Sequence, residues 1–165
     1  MKHIWSPWRI KYIQRDKQIK GCVFCDVLMK PDGPENEVIY RSKSSYAILN
    51  RYPYTSGHLM IVPNDHKSSL DLLGHDTRSE MMELTAFAVQ VLGEVYHPEG
   101  YNVGINIGEA AGAGIADHIH IHIVPRWNGD TNFMSSVGEI RVLPESLDDT
   151  YYRILTAWQT LLNIT

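Results

Sequence analysis

The chain has 165 residues and only two cysteines, Cys22 and Cys25. In a reducing compartment a Cys-x-x-Cys pair reads as a metal half-site or a redox pair rather than a structural disulfide. No apolar run approaches the roughly 18 residues needed to cross a bilayer, so membrane association is not expected. The N-terminus, "MKHIWSPWRIKYIQRDKQIK", carries positive charge but no continuous apolar stretch, so it is not read as a secretory signal. Positive charge is not in excess either: 15 Lys and Arg stand against 19 Asp and Glu, for a net charge of −4. That balance argues against a nucleic-acid partner, and any phosphate must be recognised by local groups. Internal repeats and low-complexity tracts are missing. These absences point to a cytoplasmic globular protein. The composition, 44% hydrophobic and 21% charged, is ordinary for one and allows a sizeable core.

Periodicity supplies the elements. "KPDGPENE" (30–37) is a loop broken by Pro31, Gly33 and Pro34. Short strands are predicted at 37–41, 45–50 and 57–63, the last ended by Pro63. A short helix is expected over 68–73. A long one runs from Thr77 to Tyr96, where Leu84, Ala88, Val91 and Val95 form an apolar stripe. Thr77 and Glu80 have capping-box spacing, and Pro98 and Gly100 end the helix. A strand over 101–108, a glycine-containing loop over 109–117, a strand over 118–125 and a C-terminal helix over 146–163 follow. Two substantial helices with strands in hairpin arrangement indicate an α+β fold around an antiparallel sheet.

"DHIHIHIVPRW" (117–127) sets His118, His120 and His122 at alternate positions, with isoleucines between them. On a strand such residues share one face, roughly 6.6–6.8 Å apart. Three readings follow. A solvated His-rich strand is one, though strict alternation with isoleucine argues against it. A three-histidine metal tripod is another, though a straight row converges poorly on one ion. The third is a nucleophile beside an acid: adjacent imidazoles oppose each other's protonation, and a neutral imidazole attacks electrophiles.

"HIHIHIVPRW" resembles the histidine triad motif of the HIT superfamily, whose members transfer or hydrolyse nucleotidyl groups. "NRYPYTSGHLMIVP" (50–63) and "GYNVGINIGEAAGAGIADH" extend the similarity over roughly residues 20 to 130. The resemblance implies a HIT-like fold: an antiparallel sheet of about five strands packed with two main α-helices. It implies one domain over 1–165, with extensions at 1–20 and 128–165. The middle histidine of such proteins attacks the α-phosphorus, which assigns that role to His120, with His122 stabilising the charge that develops. Asn50 falls where members hold the ribose hydroxyls, His58 near the site, and Asn106 where an amide faces the phosphate or leaving group. Many members read Gly-Gln-Ser or Gly-Gln-Thr before the triad. Here Gly112-Ala113-Gly114 stands instead, so backbone N–H groups at Gly112 and Gly114 replace those donors, or the loop simply needs positive φ. "WSPWRIKYI", "GAGIADHIHIHIVPRWNGDTNFM" and "RVLPESL" look like a bacterial branch related to diadenosine tetraphosphate phosphorylases. Trp5, Trp8, Trp127 and the 127–134 segment would be features of that branch, the tryptophans in packing roles.

By resemblance to galactose-1-phosphate uridylyltransferases and some small bacterial HIT proteins, Cys22, Cys25, His66 and His118 would hold a structural zinc ion. That frees His120 and His122 for chemistry. His3, His75 and His97 are read as surface residues. Members commonly pair as homodimers, here through the 77–96 helix and the 101–108 strand. The substrate implied is a dinucleoside polyphosphate. A nucleoside phosphoramidate, a nucleotidyl sugar, and a non-catalytic zinc-stabilised binding module are the alternatives.

Overall fold

The computed structural model describes residues 21–131 and 144–163. The expectations for His3, Trp5, Trp8 and positions 132–134 lie outside the described residues. Among these residues, five strands form one antiparallel sheet: β1 (Val38–Arg41), β2 (Ser45–Leu49), β3 (Leu59–Pro63), β4 (Gly100–Ile105) and β5 (Ile121–Arg126). Their spatial order is β1-β2-β3-β5-β4. Among the described residues three helices accompany them: α1 (Val23–Leu28), α2 (His75–Tyr96) and α3 (Leu147–Leu162). None is long and apolar enough to cross a membrane.

The alternation of strand side chains divides the core in two. Ala47, Leu49, Leu59, Ile61, Ile121 and Ile123 face α2 and α3, which contribute Met81, Leu84, Ala88, Val91, Leu92, Tyr151, Ile154 and Trp158. Trp158 packs between Tyr40, with ring centroids 5.6 Å apart, and Phe87, at 5.0 Å. The C-terminal helix is thereby part of the same core. Tyr46, Ile48, Met60 and Val62 face the opposite side and meet Phe24 of α1.

Five local expectations are corrected. The helix at Thr77 begins at His75, with Gly74 as its N-cap and no side-chain cap bond. Glu80 does not close a capping box. Its carboxylate accepts from Ser44 N–H at 2.9 Å and Ser45 Oγ at 2.6 Å, a tertiary pairing with the β1–β2 turn. The 101–108 strand stops at Ile105 and gives way to a 3₁₀ turn, Glu109–Ala111. The strand expected from 118 joins the ladder only at Ile121, and Ile119 N–H donates instead to Lys67 O at 2.7 Å, outside β3. The 68–73 helix is a single 3₁₀ turn, Leu70–Leu72.

Helix α1 was not expected. Six residues are too few to be stable alone, and long-range contacts hold it. Phe24 is buried, and the fully buried Tyr46 donates its hydroxyl to Phe24 O at 2.9 Å.

Candidate active site and metal-binding cluster

Alternation persists through 118–123 although only the second half is ladder. Ile119, Ile121 and Ile123 enter the helix-covered core. His118, His120 and His122 turn to the α1 side, where the Phe24 ring lies 5.4 Å from His118 and 4.9 Å from His120. In register, His122 stands opposite Met60 on β3 and Gly104 on β4. A Cβ at Gly104 would meet nothing within 4 Å, so space is open beside His122.

Hydrogen bonds set the ring tautomers. His120 Nδ1–H donates to its neighbour's carbonyl, His118 O, at 2.9 Å. That leaves the lone pair on Nε2. Burial lowers the His120 pKa from its ordinary value, against the opposing pull of the His118 carbonyl, so the ring is neutral at neutral pH. His58 Nδ1 accepts Tyr54 N–H at 3.2 Å. Its proton is therefore on Nε2, which lies 3.0 Å from His122 Nδ1 and donates to it. His122 in turn carries its proton on Nε2. A backbone amide thus fixes the tautomers of two rings in series.

Asn50 follows β2. Its Oδ1 accepts Tyr52 N–H at 2.9 Å, a local turn, and its Nδ2 sits 3.4 Å from His58 Nε2. The Oδ1 bond is that of a turn at the end of β2, and the Nδ2 approach sets Asn50 beside His58. Thr55 Oγ1 donates to Pro125 O at 2.9 Å and ties this loop to β5. Asn106 is half-buried just past β4. Continuing the Gly104–His122 register places it opposite His120. Gly112 has φ +87° and caps the 3₁₀ turn, its N–H donating to Glu109 O at 2.9 Å. Gly114 is not among the glycines with positive φ. Trp127 is half-buried, edge-on to Tyr96 at 6.5 Å. His75 and His97 are exposed.

The remaining residues gather beside α1. One ligand atom from each of Cys22, Cys25, His66 and His118 lies within 4.8 Å of the others. His118 Nδ1 is 3.3 Å from Cys22 Sγ and 3.6 Å from Cys25 Sγ, and His66 Nδ1 is 3.3 Å from Cys25 Sγ. On its far side, His118 Nε2–H donates to Pro63 O at 2.9 Å. This carbonyl leaves the Nδ1 lone pair facing the thiols, as a metal ligand requires. Burial lowers the His118 pKa, which keeps the ring in the neutral, ligating form. The four side chains can share one metal ion.

Sequence reasoning missed Phe24, the Tyr54 amide, Thr55 and Gly104. An apolar residue inside a Cys-x-x-Cys pair hints at Phe24; a backbone donor has no side-chain signature at all.

A histidine triad backed by a five-stranded antiparallel sheet is the hallmark of one class of nucleotide-handling proteins, and the family model "HIT domain" matches residues 33–129. The chain belongs to the HIT family. It is 38% identical to AP-4-A phosphorylase of Mycobacterium tuberculosis (strain ATCC 25618 / H37Rv), across 96% of this chain and 85% of that protein. It is 29% identical to adenosine 5'-monophosphoramidase hnt1 of Schizosaccharomyces pombe, across 77% of this chain and 96% of that one. Among solved structures, a Zn-bound histidine triad family protein from Mycobacterium smegmatis superposes with a TM-score of 0.71. That pair shares 28% identity, over 88% of this chain and 98% of that one.

Proposed function

We propose that this protein cleaves dinucleoside polyphosphates of the diadenosine tetraphosphate type through a nucleotidyl-His120 intermediate, with phosphate or water as acceptor. The observation that carries the proposal is the His120 Nδ1–H···O=C bond to His118, which aims a neutral lone pair away from the strand at Nε2. That nitrogen attacks the α-phosphorus, the bond to the bridging oxygen breaks, and the departing nucleotide keeps the electron pair. The acceptor oxygen then attacks the same phosphorus and the P–N bond breaks, restoring His120. Two moderate displacements replace one difficult one. His122 Nε2–H, oriented through His58, donates to a phosphate oxygen as charge builds. Asn50 holds the ribose hydroxyls and Asn106 contacts the phosphate or leaving group. Gly112 and Gly114 keep the approach to the phosphates clear of side chains. The relationship to AP-4-A phosphorylase supports this substrate class. The monophosphoramidase relative favours a second reading, hydrolysis of nucleoside phosphoramidates on the same residues.

Cys22, Cys25, His66 and His118 fit a structural zinc ion. Ordinary tetrahedral Zn–S and Zn–N bonds separate sulfur from nitrogen by about 3.5 Å; the separations here are 3.3, 3.3 and 3.6 Å. A bound ion would fasten α1 to the His118–His120 segment and takes no part in the displacement. The free thiols suit a cytoplasmic location. Two copies pair through β4 and α2: β4 is an edge strand, and Val103, Ile107 and Met82 are 48%, 47% and 57% exposed.

The test is incubation with diadenosine tetraphosphate, with and without phosphate. ATP plus ADP formed only with phosphate supports phosphorolysis; AMP plus ATP in either case supports hydrolysis. Quenched samples should carry an AMP adduct on His120. No turnover of any adenylylated compound, and no adduct, would return the chain to the binding-module reading.

A further inference from the structure

We propose that Cys22 and Cys25 are a site of reversible oxidation by hydrogen peroxide, and that their disulfide switches the His120 site off. The proposal rests on the zinc reading above and goes beyond it. Both thiols are half-exposed and His66 is exposed, so this cluster is open to small oxidants where a closed structural site is shielded. The chain holds no third cysteine, so the two sulfurs can resolve only each other within one molecule. All ligand atoms lie within 4.8 Å, and side-chain rotation in a Cys-x-x-Cys segment closes that gap to a bond of about 2.0 Å.

One thiolate attacks a peroxide oxygen and the O–O bond breaks, giving a sulfenic acid and, after protonation, one water. The second thiolate attacks the sulfenic sulfur and the S–O bond breaks, releasing a second water. The two sulfurs lose two electrons and the peroxide gains them. Oxidation removes both sulfur donors and leaves two imidazoles, too few to retain the ion.

The same change reaches the active site by two short routes. His118, released from its ligand role, supplies the carbonyl that orients His120. Helix α1, released at both cysteines, carries the Phe24 ring that packs on His120 at 4.9 Å.

The full-length protein is assayed for zinc by elemental analysis, then treated with hydrogen peroxide. Zinc release is followed with a chromogenic chelator, the Cys22–Cys25 link by peptide mass spectrometry, and diadenosine tetraphosphate cleavage in parallel. We expect about one zinc per chain, released as the disulfide forms, and activity lower by about tenfold or more. A dithiol reductant with added zinc restores it. His66→Asn, at an exposed position, should release zinc faster at the same peroxide concentration. Zinc that stays bound, sulfinic acid in place of the disulfide, or full activity with the disulfide formed would each overturn the switch while leaving the metal reading intact. Protein that neither contains nor takes up zinc would overturn the metal reading itself.

Discussion

Gly57 sits one residue before His58 with φ +77°, pressed against α2. A methyl group at this position would fall 2.8 Å from Tyr96 Cε2, 3.0 Å from Tyr96 Cδ2 and 3.1 Å from Leu92 Cδ2. The Tyr96 ring cannot swing aside cheaply, because its hydroxyl donates to Glu145 at 2.5 Å and Trp127 lies against it. The backbone of the 50–58 loop must therefore move. The left-handed conformation costs a non-glycine residue about 1–2 kcal/mol, and overpacking adds about 1–3 kcal/mol. Together Gly57→Ala should cost roughly 2–5 kcal/mol, a fall in Tm on the order of 10 °C for a chain this size. Calorimetry on Gly57→Ala, Tyr96→Ala and the double variant separates the two parts. The double variant should recover the overpacking share, about 1–3 kcal/mol of coupling, and retain the backbone share. Because the displaced loop carries His58, turnover should fall in Gly57→Ala even well below its Tm. A Tm within about 2 °C of the parent, or no coupling to Tyr96, would refute this account of why glycine stands there.

Three further outcomes follow from single contacts. His120→Ala should abolish the AMP adduct and lower turnover by roughly a thousandfold or more, checked by quenched-flow mass spectrometry, while far-UV circular dichroism stays unchanged. Burial by itself raises the Glu80 carboxyl, but hydrogen bonds from Ser45 and Ser44 outweigh it and hold the group below its usual range. With the folded pKa depressed, this stabilisation is complete above the unfolded value of about 4.3 and is lost as pH falls through the folded one. Glu80→Gln should therefore flatten the decline in urea midpoint between about pH 5 and pH 3; parallel curves would dismiss the pairing. Tyr46→Phe leaves the Phe24 carbonyl without its hydroxyl partner in a buried setting. It should cost about 1–3 kcal/mol by chemical denaturation.

Much of this was legible before any coordinates. Strands β1 to β3 and helix α2 follow their apolar periods to within two residues, because each buries a regular face in the core. The gathering of Cys22, Cys25, His66 and His118 was reachable only by resemblance: nothing local links Cys22 to His118, 96 residues away. What stayed hidden depends on long-range partners. Glu80 gave up its capping box for Ser44 and Ser45, more than thirty residues earlier. Helix α1 is too short to show a period and exists through Tyr46 and the second core. The late start of β5 reflects a distant partner: the ladder with β3 begins at the Ile121–Ile61 pair, and Ile119 N–H is taken by Lys67 O. The series from Tyr54 N–H through His58 to His122 begins at a main-chain group, which one-letter code does not display.

Residues 118 to 123 assign odd positions to the hydrophobic interior and even positions to imidazoles. Durability and reactivity are thus interleaved at single-residue pitch. Inserting or deleting one amino acid within this stretch would exchange the two sets wholesale, placing aliphatic groups in the candidate site and ionisable rings in the interior. Changes in substrate preference must therefore enter from the surrounding loops, where length can vary without disturbing that alternation.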